Sequence, residues 1–121
     1  MVKFVEMDEK VTISSQMDEN IGPVILINTY NVNPDDVDQF LKMWTSRAEI
    51  IKKQPGFLSA QLHQGISGSS TFINFMVWES VALFKRAFSN HDSIPYPDYP
   101  AGTVESAHLF KKVAVPGICV D

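Results

Sequence analysis

Residues 71–80 read TFINFMVWES, an apolar run that contains one amide side chain, Asn74. The apolar and aromatic residues around it predict a strand buried on both faces. A buried amide without a hydrogen-bond partner costs about 1–3 kcal/mol, so Asn74 must either have a partner or bind a ligand. Because side chains alternate along a strand, Asn74 shares its face with Trp78, with Met76 between them. An amide and an indole N–H on one face can orient a small polar aromatic ligand.

The rest of the chain predicts three further strands and two helices. A first strand, PVILINTYNV, is rich in β-branched residues, and Asn33 and Pro34 then suit the start of a helix. The short ISGSS connection makes the second and third strands a hairpin. The predicted strands cover residues 23–32, 57–65, 71–80 and 104–115, and the predicted helices cover residues 34–53 and 81–88. The order β-α-β-β-α-β predicts an α+β, ferredoxin-like fold with an antiparallel sheet.

The length of 121 residues suits one domain with a sizeable core. Residues 1–22 are mostly polar and predict an N-terminal arm, in which KVTIS (10–14) is a candidate short strand. Residues 23–121 form the single predicted domain. Within it, residues 89–102 hold three prolines and little periodicity, which is typical of a long loop or lid.

Composition excludes several classes of protein. The net charge of −4 and the lack of a basic patch argue against nucleic-acid binding. No apolar run approaches the roughly 20 residues of a membrane span, and MVKFVEMDEK carries charges where a signal peptide is apolar. The single cysteine, Cys119, cannot form an intramolecular disulfide, which fits a reducing compartment. We therefore expect a cytoplasmic protein that contacts neither membrane nor nucleic acid.

Apolar residues on both faces of the predicted sheet indicate a homodimer. Two helices can cover only one face of a four-stranded sheet. Yet Leu26 and Ile27 lie on opposite faces of the first strand, and the strand at 71–80 is likewise apolar on both faces. An uncovered apolar face marks a partner surface, and the simplest partner is a second copy related by a two-fold axis.

A second amide, Asn28, interrupts the first strand as Asn74 interrupts the third. Because these strands are central neighbours in a ferredoxin-like sheet, we expect the two amides near each other. Each amide either hydrogen-bonds a neighbour within the fold or contacts a ligand. Tyr30 shares the face of Asn28, where its hydroxyl can donate to a ligand or its ring can simply pack.

Three more side chains are candidates for substrate binding. Trp44 on the first helix and Phe84 on the second can wall a space between helices and sheet, or fill it as core. His91 follows the second helix, where it can interact with the last helical carbonyls or act on a ligand. The histidines match no metal-ligand spacing, so no metal site is predicted.

Three segments resemble the antibiotic biosynthesis monooxygenase (ABM) domain family. They are VILINTYNVNPDDVDQFLKMW (24–44), QPGFLSAQLH (54–63) and FINFMVWES (72–80), the last followed by a helix. The resemblance covers about residues 23–91, and the PGF turn and the VWES strand end are its most recognisable parts. It implies a dimeric α+β barrel with a pocket between helices and sheet in each subunit.

Within this family, cofactor-independent monooxygenases of aromatic polyketide pathways carry an asparagine four residues before a tryptophan on the third strand. Asn74 and Trp78 match that spacing, which implies catalytic roles for both and an aromatic or phenolic substrate oxidised by O₂. Asn74 would stabilise developing oxyanion charge, and Trp78 would hold the ring or the oxygen adduct. Phe84 stands where those enzymes carry a tyrosine, so a binding module without catalysis remains an alternative.

Haem-degrading oxygenases of the same fold give another alternative. Asn28 matches their first-strand asparagine. Their second-helix tryptophan falls at about Ala87 here, and their haem-ligating histidine falls near Pro97, about six residues from His91. The resemblance therefore implies an enzyme without a cofactor, with haem as the alternative.

Overall fold

The computed structural model describes residues 2–90, 92, 94 and 98–119. Five strands form one sheet in the order β1-β5-β2-β4-β3. The strands are β1 (Lys3–Phe4), β2 (Val24–Asn31), β3 (Phe57–Gln64), β4 (Thr71–Trp78) and β5 (Val104–Phe110). The helices are α1 (Ile13–Gln16), α2 (Val37–Ile51) and α3 (Val81–Ser89), and a short 3-10 turn, Pro34–Asp36, leads into α2.

Strands β2 to β5 pair antiparallel and confirm the predicted β-α-β-β-α-β arrangement. The last strand ends at Phe110 and not at residue 115 as predicted, and two further details differ. Strand β1 adds to the edge of β5 in parallel, which makes the sheet mixed. The candidate strand at 10–14 is wrong, because the Thr12 side chain accepts a hydrogen bond from the Ser15 backbone N–H and caps α1 instead. The division into an arm over 1–22 and a domain over 23–121 remains a prediction.

The PGF turn between α2 and β3 has a steric reason. Gly56 adopts a φ of +91°, and a Cβ atom there would lie 2.6 Å from Cβ of Leu83 on α3. Both features favour glycine, since it tolerates positive φ and lets the backbone approach the helix closely. The turn itself therefore passes tightly against α3.

Helices α2 and α3 cover one face of the sheet and form the core. Alternate residues of the two central strands point into this core: Val24, Leu26, Asn28 and Tyr30 of β2, and Phe72, Asn74, Met76 and Trp78 of β4. From the helices, Phe40 and Phe84 pack against this face, Phe40 with its ring centroid 4.8 Å from that of Phe72. The opposite face stays open, with Ile73 and Phe75 of β4 exposed by 43% and 37%.

The first 22 residues protect the outer edge of β5. The backbone N–H groups of Lys3 and Val5 donate to the carbonyls of Thr103 and Glu105. Farther along β5, the Gln16 carboxamide pairs with both backbone groups of Leu109, donating to its carbonyl at 2.9 Å and accepting from its N–H at 2.9 Å. An exposed strand edge invites pairing with other chains, and these contacts remove that edge. Among the described residues, no helix is long and apolar enough to cross a membrane.

We expect Gln16→Ala to lower the free energy of unfolding by about 1–3 kcal/mol, because it leaves two partly buried backbone groups of Leu109 unpaired. Chemical unfolding followed by circular dichroism measures the change. Ser14→Ala, on the exposed side of α1, is the matched control and should have little effect. Equal stability of the two variants would show that the arm does not hold the edge.

Candidate functional site

The two amides meet at the centre of the helix-covered face. Asn28 and Asn74 are directly paired in the β2–β4 register, and they are only 7% and 2% exposed. Nδ2 of Asn74 donates to Oδ1 of Asn28 at 3.0 Å. Nδ2 of Asn28 donates in turn to Oε2 of Glu105 on β5 at 3.2 Å. A chain of two amides therefore runs across three strands and ends on a carboxylate.

Three buried side-chain polar atoms have no hydrogen-bond partner among the described residues. They are Oδ1 of Asn74, which belongs to this chain, the indole Nε1 of Trp78 and Nδ1 of His108. Leaving such a group unpaired costs about 1–3 kcal/mol. Buried polar atoms of this kind are unusual in proteins and often occur at sites that bind a ligand or a water molecule.

The amide pair borders a small cavity between the sheet, α2, α3 and the segment before β5. The cavity has a volume of about 20 Å³. This is room for about one water molecule. Its polar and aromatic walls are Asn28, Tyr30, Trp44, Arg47, Asn74, Phe88 and Tyr99, and the apolar remainder is Leu26, Ala48, Ile51 and Met76.

Tyr99 closes the cavity from the loop side. Its ring is 4% exposed and packs 5.5 Å from the ring of Tyr30 and 5.1 Å from that of Phe40. Its hydroxyl is hydrogen-bonded to Tyr30 and to Arg47. The loop predicted at 89–102 thus contributes a wall of the cavity through Tyr99.

The ionisable groups around the cavity are shifted mainly by burial. Burial raises the pKa of Tyr30 well above its ordinary value, and it raises the pKa of Tyr99 although the charge of Arg47 opposes this. Both phenols therefore stay neutral at physiological pH. Burial also raises the pKa of Glu105, against the opposing effects of the Arg47 charge and the hydrogen bond from Asn28.

The structure brings together four of the side chains that the sequence singled out. Asn28, Tyr30, Trp44 and Asn74 all line the cavity. The distance between the two amides agrees with the expectation from strand order. Asn28, Tyr30 and Asn74 share one face of the sheet because β2 and β4 alternate in phase, and Trp44 lines the cavity from α2.

Trp78 and Phe84 lie in an aromatic cluster beside the cavity. The Trp78 ring centroid lies 5.9 Å from that of Phe84 and 5.8 Å from those of Phe57 and Phe88. Phe88 belongs both to this cluster and to the cavity wall, so Trp78 is separated from the cavity by one ring. His91 lies outside the described residues. Within the part of the chain that the structure describes, no group of three or more His, Cys, Asp or Glu side chains could hold a metal ion.

Three site residues were missed by the sequence analysis. Arg47 falls three residues after Trp44 and four before Ile51, on the apolar stripe of α2, so its position could have been read from helical periodicity. Glu105 shares the inward face of β5 with Ala107 and Leu109, which period-two alternation also indicates. Tyr99 follows no periodic pattern, and no sequence signal places it in the cavity.

We expect Glu105→Gln to gain stability relative to the wild type as pH rises. Since burial raises the pKa of Glu105 above its ordinary value of 4.5, the folded wild type binds this proton more tightly than the unfolded chain. Wild-type stability relative to the variant should therefore fall through the window between 4.5 and the raised pKa, and stay lower above it. Unfolding by urea across this pH range measures the difference.

The control for this measurement is Glu49→Gln. Lys52 forms a salt bridge of 2.7 Å with Glu49 and lowers the pKa of that exposed carboxylate. The dependence should have the opposite sign, with a small wild-type advantage that disappears as pH falls. A pH-independent difference for Glu105→Gln would contradict the assigned burial of its charge.

Comparison with known proteins places this architecture in a family. The model of the antibiotic biosynthesis monooxygenase family matches residues 23–93. A search of curated proteins found no match. Among solved structures, a candidate monooxygenase from Shewanella loihica PV-4 is 28% identical, with a TM-score of 0.68, over 78% of this chain and 97% of that chain.

Two further structures share the fold. A haem-degrading protein from Mycobacterium tuberculosis is 27% identical, with a TM-score of 0.58, over 78% of this chain and 96% of that chain. SnoaB, a cofactor-independent oxygenase from Streptomyces nogalater, has a TM-score of 0.66 over 80% of this chain and 99% of that chain, but at 19% identity it supports the fold alone. The chain belongs to the antibiotic biosynthesis monooxygenase family.

Proposed function

We propose that this protein is a cofactor-independent monooxygenase that oxidises a small phenolic substrate with O₂. The observation that supports this most is the buried amide pair, Asn28 and Asn74, beside a cavity walled by aromatic rings. The amides can bind the substrate oxygen, and the rings of Tyr30 and Trp44 can contact its aromatic face.

The chemistry needs little from the protein beyond binding and charge stabilisation. Deprotonation of the substrate gives a delocalised anion whose carbon adds to O₂ and forms a C–O bond. Protonation of the resulting peroxide and loss of water then leave a carbonyl, so one oxygen atom stays in the product and the other leaves as water with two substrate hydrogens. The substrate supplies the electrons. The second N–H of Asn74 Nδ2, which Asn28 does not use, can stabilise the anion, and Trp78 can orient the ring through Phe88.

Substrate entry requires one wall of the cavity to move, because a volume of about 20 Å³ does not admit an aromatic ring. Tyr99 is the best candidate, since residues 98–103 belong to no helix or strand. Its own phenol ring is held between Tyr30 and Phe40 with its hydroxyl bonded to Arg47, which supports a site suited to phenolic rings.

The haem-degrading relative defines the alternative that must be tested. The second-helix tryptophan of haem-degrading oxygenases of this fold falls at about Ala87 here, which is buried in the core. Purified protein should be colourless, give no Soret band with added haemin, and consume O₂ with an anthrone- or hydroquinone-type substrate. A Soret band would instead assign haem chemistry, and neither result would leave a binding module.

We expect Asn74→Ala to lower turnover by about 10²–10³-fold, because it removes the hydrogen bond to the developing anion. Oxygen consumption measures the effect. Asn31→Ala is the matched control, since that exposed amide on β2 bonds only Thr71 among the described residues and should leave turnover unchanged. Unchanged turnover in Asn74→Ala would refute the assigned role.

We also propose that two copies pack through the open face of the sheet. An apolar groove of about 510 Å³ lies there, lined by Pro23, Ile25, Phe75, Val77, Lys111 and Lys112. An exposed apolar face of this kind is typical of a subunit interface, and a two-fold axis would bring it against its own copy.

We expect the wild type to sediment at twice its monomer mass and Phe75→Asp to sediment as a folded monomer, because the new charge would be buried at the interface. Lys53→Asp, beyond the end of α2, is the control and should stay dimeric. A monomeric wild type at micromolar concentration would overturn the dimer.

A further inference from the structure

The direction of the amide chain is set by its end at Glu105. An ionised carboxylate can accept hydrogen bonds but cannot donate them. Asn28 must therefore turn its Nδ2 towards Oε2 of Glu105, as it does at 3.2 Å. If Asn28 were rotated by 180°, its Oδ1 would face the carboxylate and two acceptors would repel each other. With Oδ1 of Asn28 thus turned to β4, Asn74 must donate through Nδ2.

The same constraint leaves Oδ1 of Asn74 without a partner in the amide chain. Oδ1 of Asn74 is buried, and no described residue donates to it. Asn74 also lines the cavity. An amide that could turn freely would present either a donor or an acceptor, but one held by this chain keeps its acceptor available.

We propose that ionised Glu105 fixes the polarity of the Asn28–Asn74 pair, so that Oδ1 of Asn74 accepts a hydrogen bond from the neutral hydroxyl of an aromatic ligand. Glu105 is thus a positioning residue that acts through Asn28, and the site selects hydroxyaromatic compounds over ring compounds that only accept hydrogen bonds. This inference rests on the proposed function for the substrate class and adds the form in which the substrate binds.

Among the ionisable groups around the amide chain, Glu105 is the one whose protonation changes its hydrogen bonds. Arg47 faces it from α2 and Tyr30 from β2, with Tyr99 on the segment before β5. On β1, Phe4 pairs with Glu105 in the register and Lys3 is the adjacent charge. The buried phenols, whose pKa values are raised by burial, stay neutral at mildly acidic pH. His108 lies on the opposite face of β5, so Glu105 is the group that titrates beside the amide chain.

Protonation of Glu105 releases the constraint. A protonated carboxyl can donate as well as accept, so Asn28 can turn over and Asn74 can turn over with it, which ends the fixed position of its Oδ1. Because burial raises the pKa of Glu105, this change occurs at a less acidic pH than for an ordinary glutamate. Ligand preference should therefore depend on pH in the wild type.

Paired binding measurements with 1-naphthol and 1-methoxynaphthalene test the proposal, because the two probes share a ring system and differ in the hydrogen-bond donor. We expect the wild type at neutral pH to bind the naphthol about tenfold more tightly, the usual effect of one buried hydrogen bond. In Glu105→Gln the ratio should fall towards one, since a neutral amide can pair with Asn28 in either direction. Glu49→Gln should keep the wild-type ratio.

A pH titration of the wild type gives a second measurement that does not depend on the variant folding. The naphthol preference should disappear on acidification in the wild type and show no such transition in Glu105→Gln. A role of Glu105 in stability alone would lower affinity for both probes together and leave their ratio unchanged.

The outcomes separate this inference from the proposed function. Equal affinity of the wild type for both probes, or a preference that survives Glu105→Gln at every pH, overturns the polarity inference even if O₂ consumption is observed. If the predicted ratios are found but no substrate consumes O₂, the binding inference stands and the oxygenase function fails. Binding of neither probe overturns the inference, because the cavity then does not admit an aromatic ring.

Discussion

The hydrogen bond between Asn74 and Asn28 is the contact on which the organisation of this molecule depends. Two amides can be buried at the centre of an apolar sheet only if they pair, and they pair only in one register of β2 against β4. A slip of one residue in either strand would turn the amide of that strand to the open face and exchange all of its core residues. The same contact therefore fixes the strand register and places polar atoms beneath the helices.

Electrostatics in the site follow from this burial. The amide pair ends on Glu105, whose charge is opposed by desolvation and supported by Arg47 and by the donated hydrogen bond. Such a balance is costly for stability and serves no purpose in packing, since an apolar side chain at that position would fill the space without the desolvation cost. The Glu105 carboxylate gives the buried amide pair a defined hydrogen-bonding direction.

Patterns along the chain predicted most of the fold and about half of the site. Period-two alternation identified the central strands and placed Asn28, Tyr30 and Asn74 on one face, and helical periodicity placed Trp44 above them. The same rules apply to Arg47 and Glu105, which the sequence analysis did not single out although each lies on a face whose other members are apolar. The strand predicted for KVTIS was wrong for another reason. The hydroxyl of Thr12 caps a helical turn, and this cap overrides the β-propensity of its neighbours.

Local periodicity determines the secondary structure and the side of each strand or helix to which a side chain points, because both depend on residues within a few positions of one another. It therefore sufficed for the bounds of the central strands, the inward direction of each amide and the two-sided apolar sheet. Which side chains meet across elements is decided by packing between distant segments, and this is why Tyr99, 69 positions after Tyr30, enters the cavity without any signal in the chain. The unpartnered oxygen of Asn74 is likewise a tertiary property, because it follows from a carboxylate 31 positions away that determines how two amides turn.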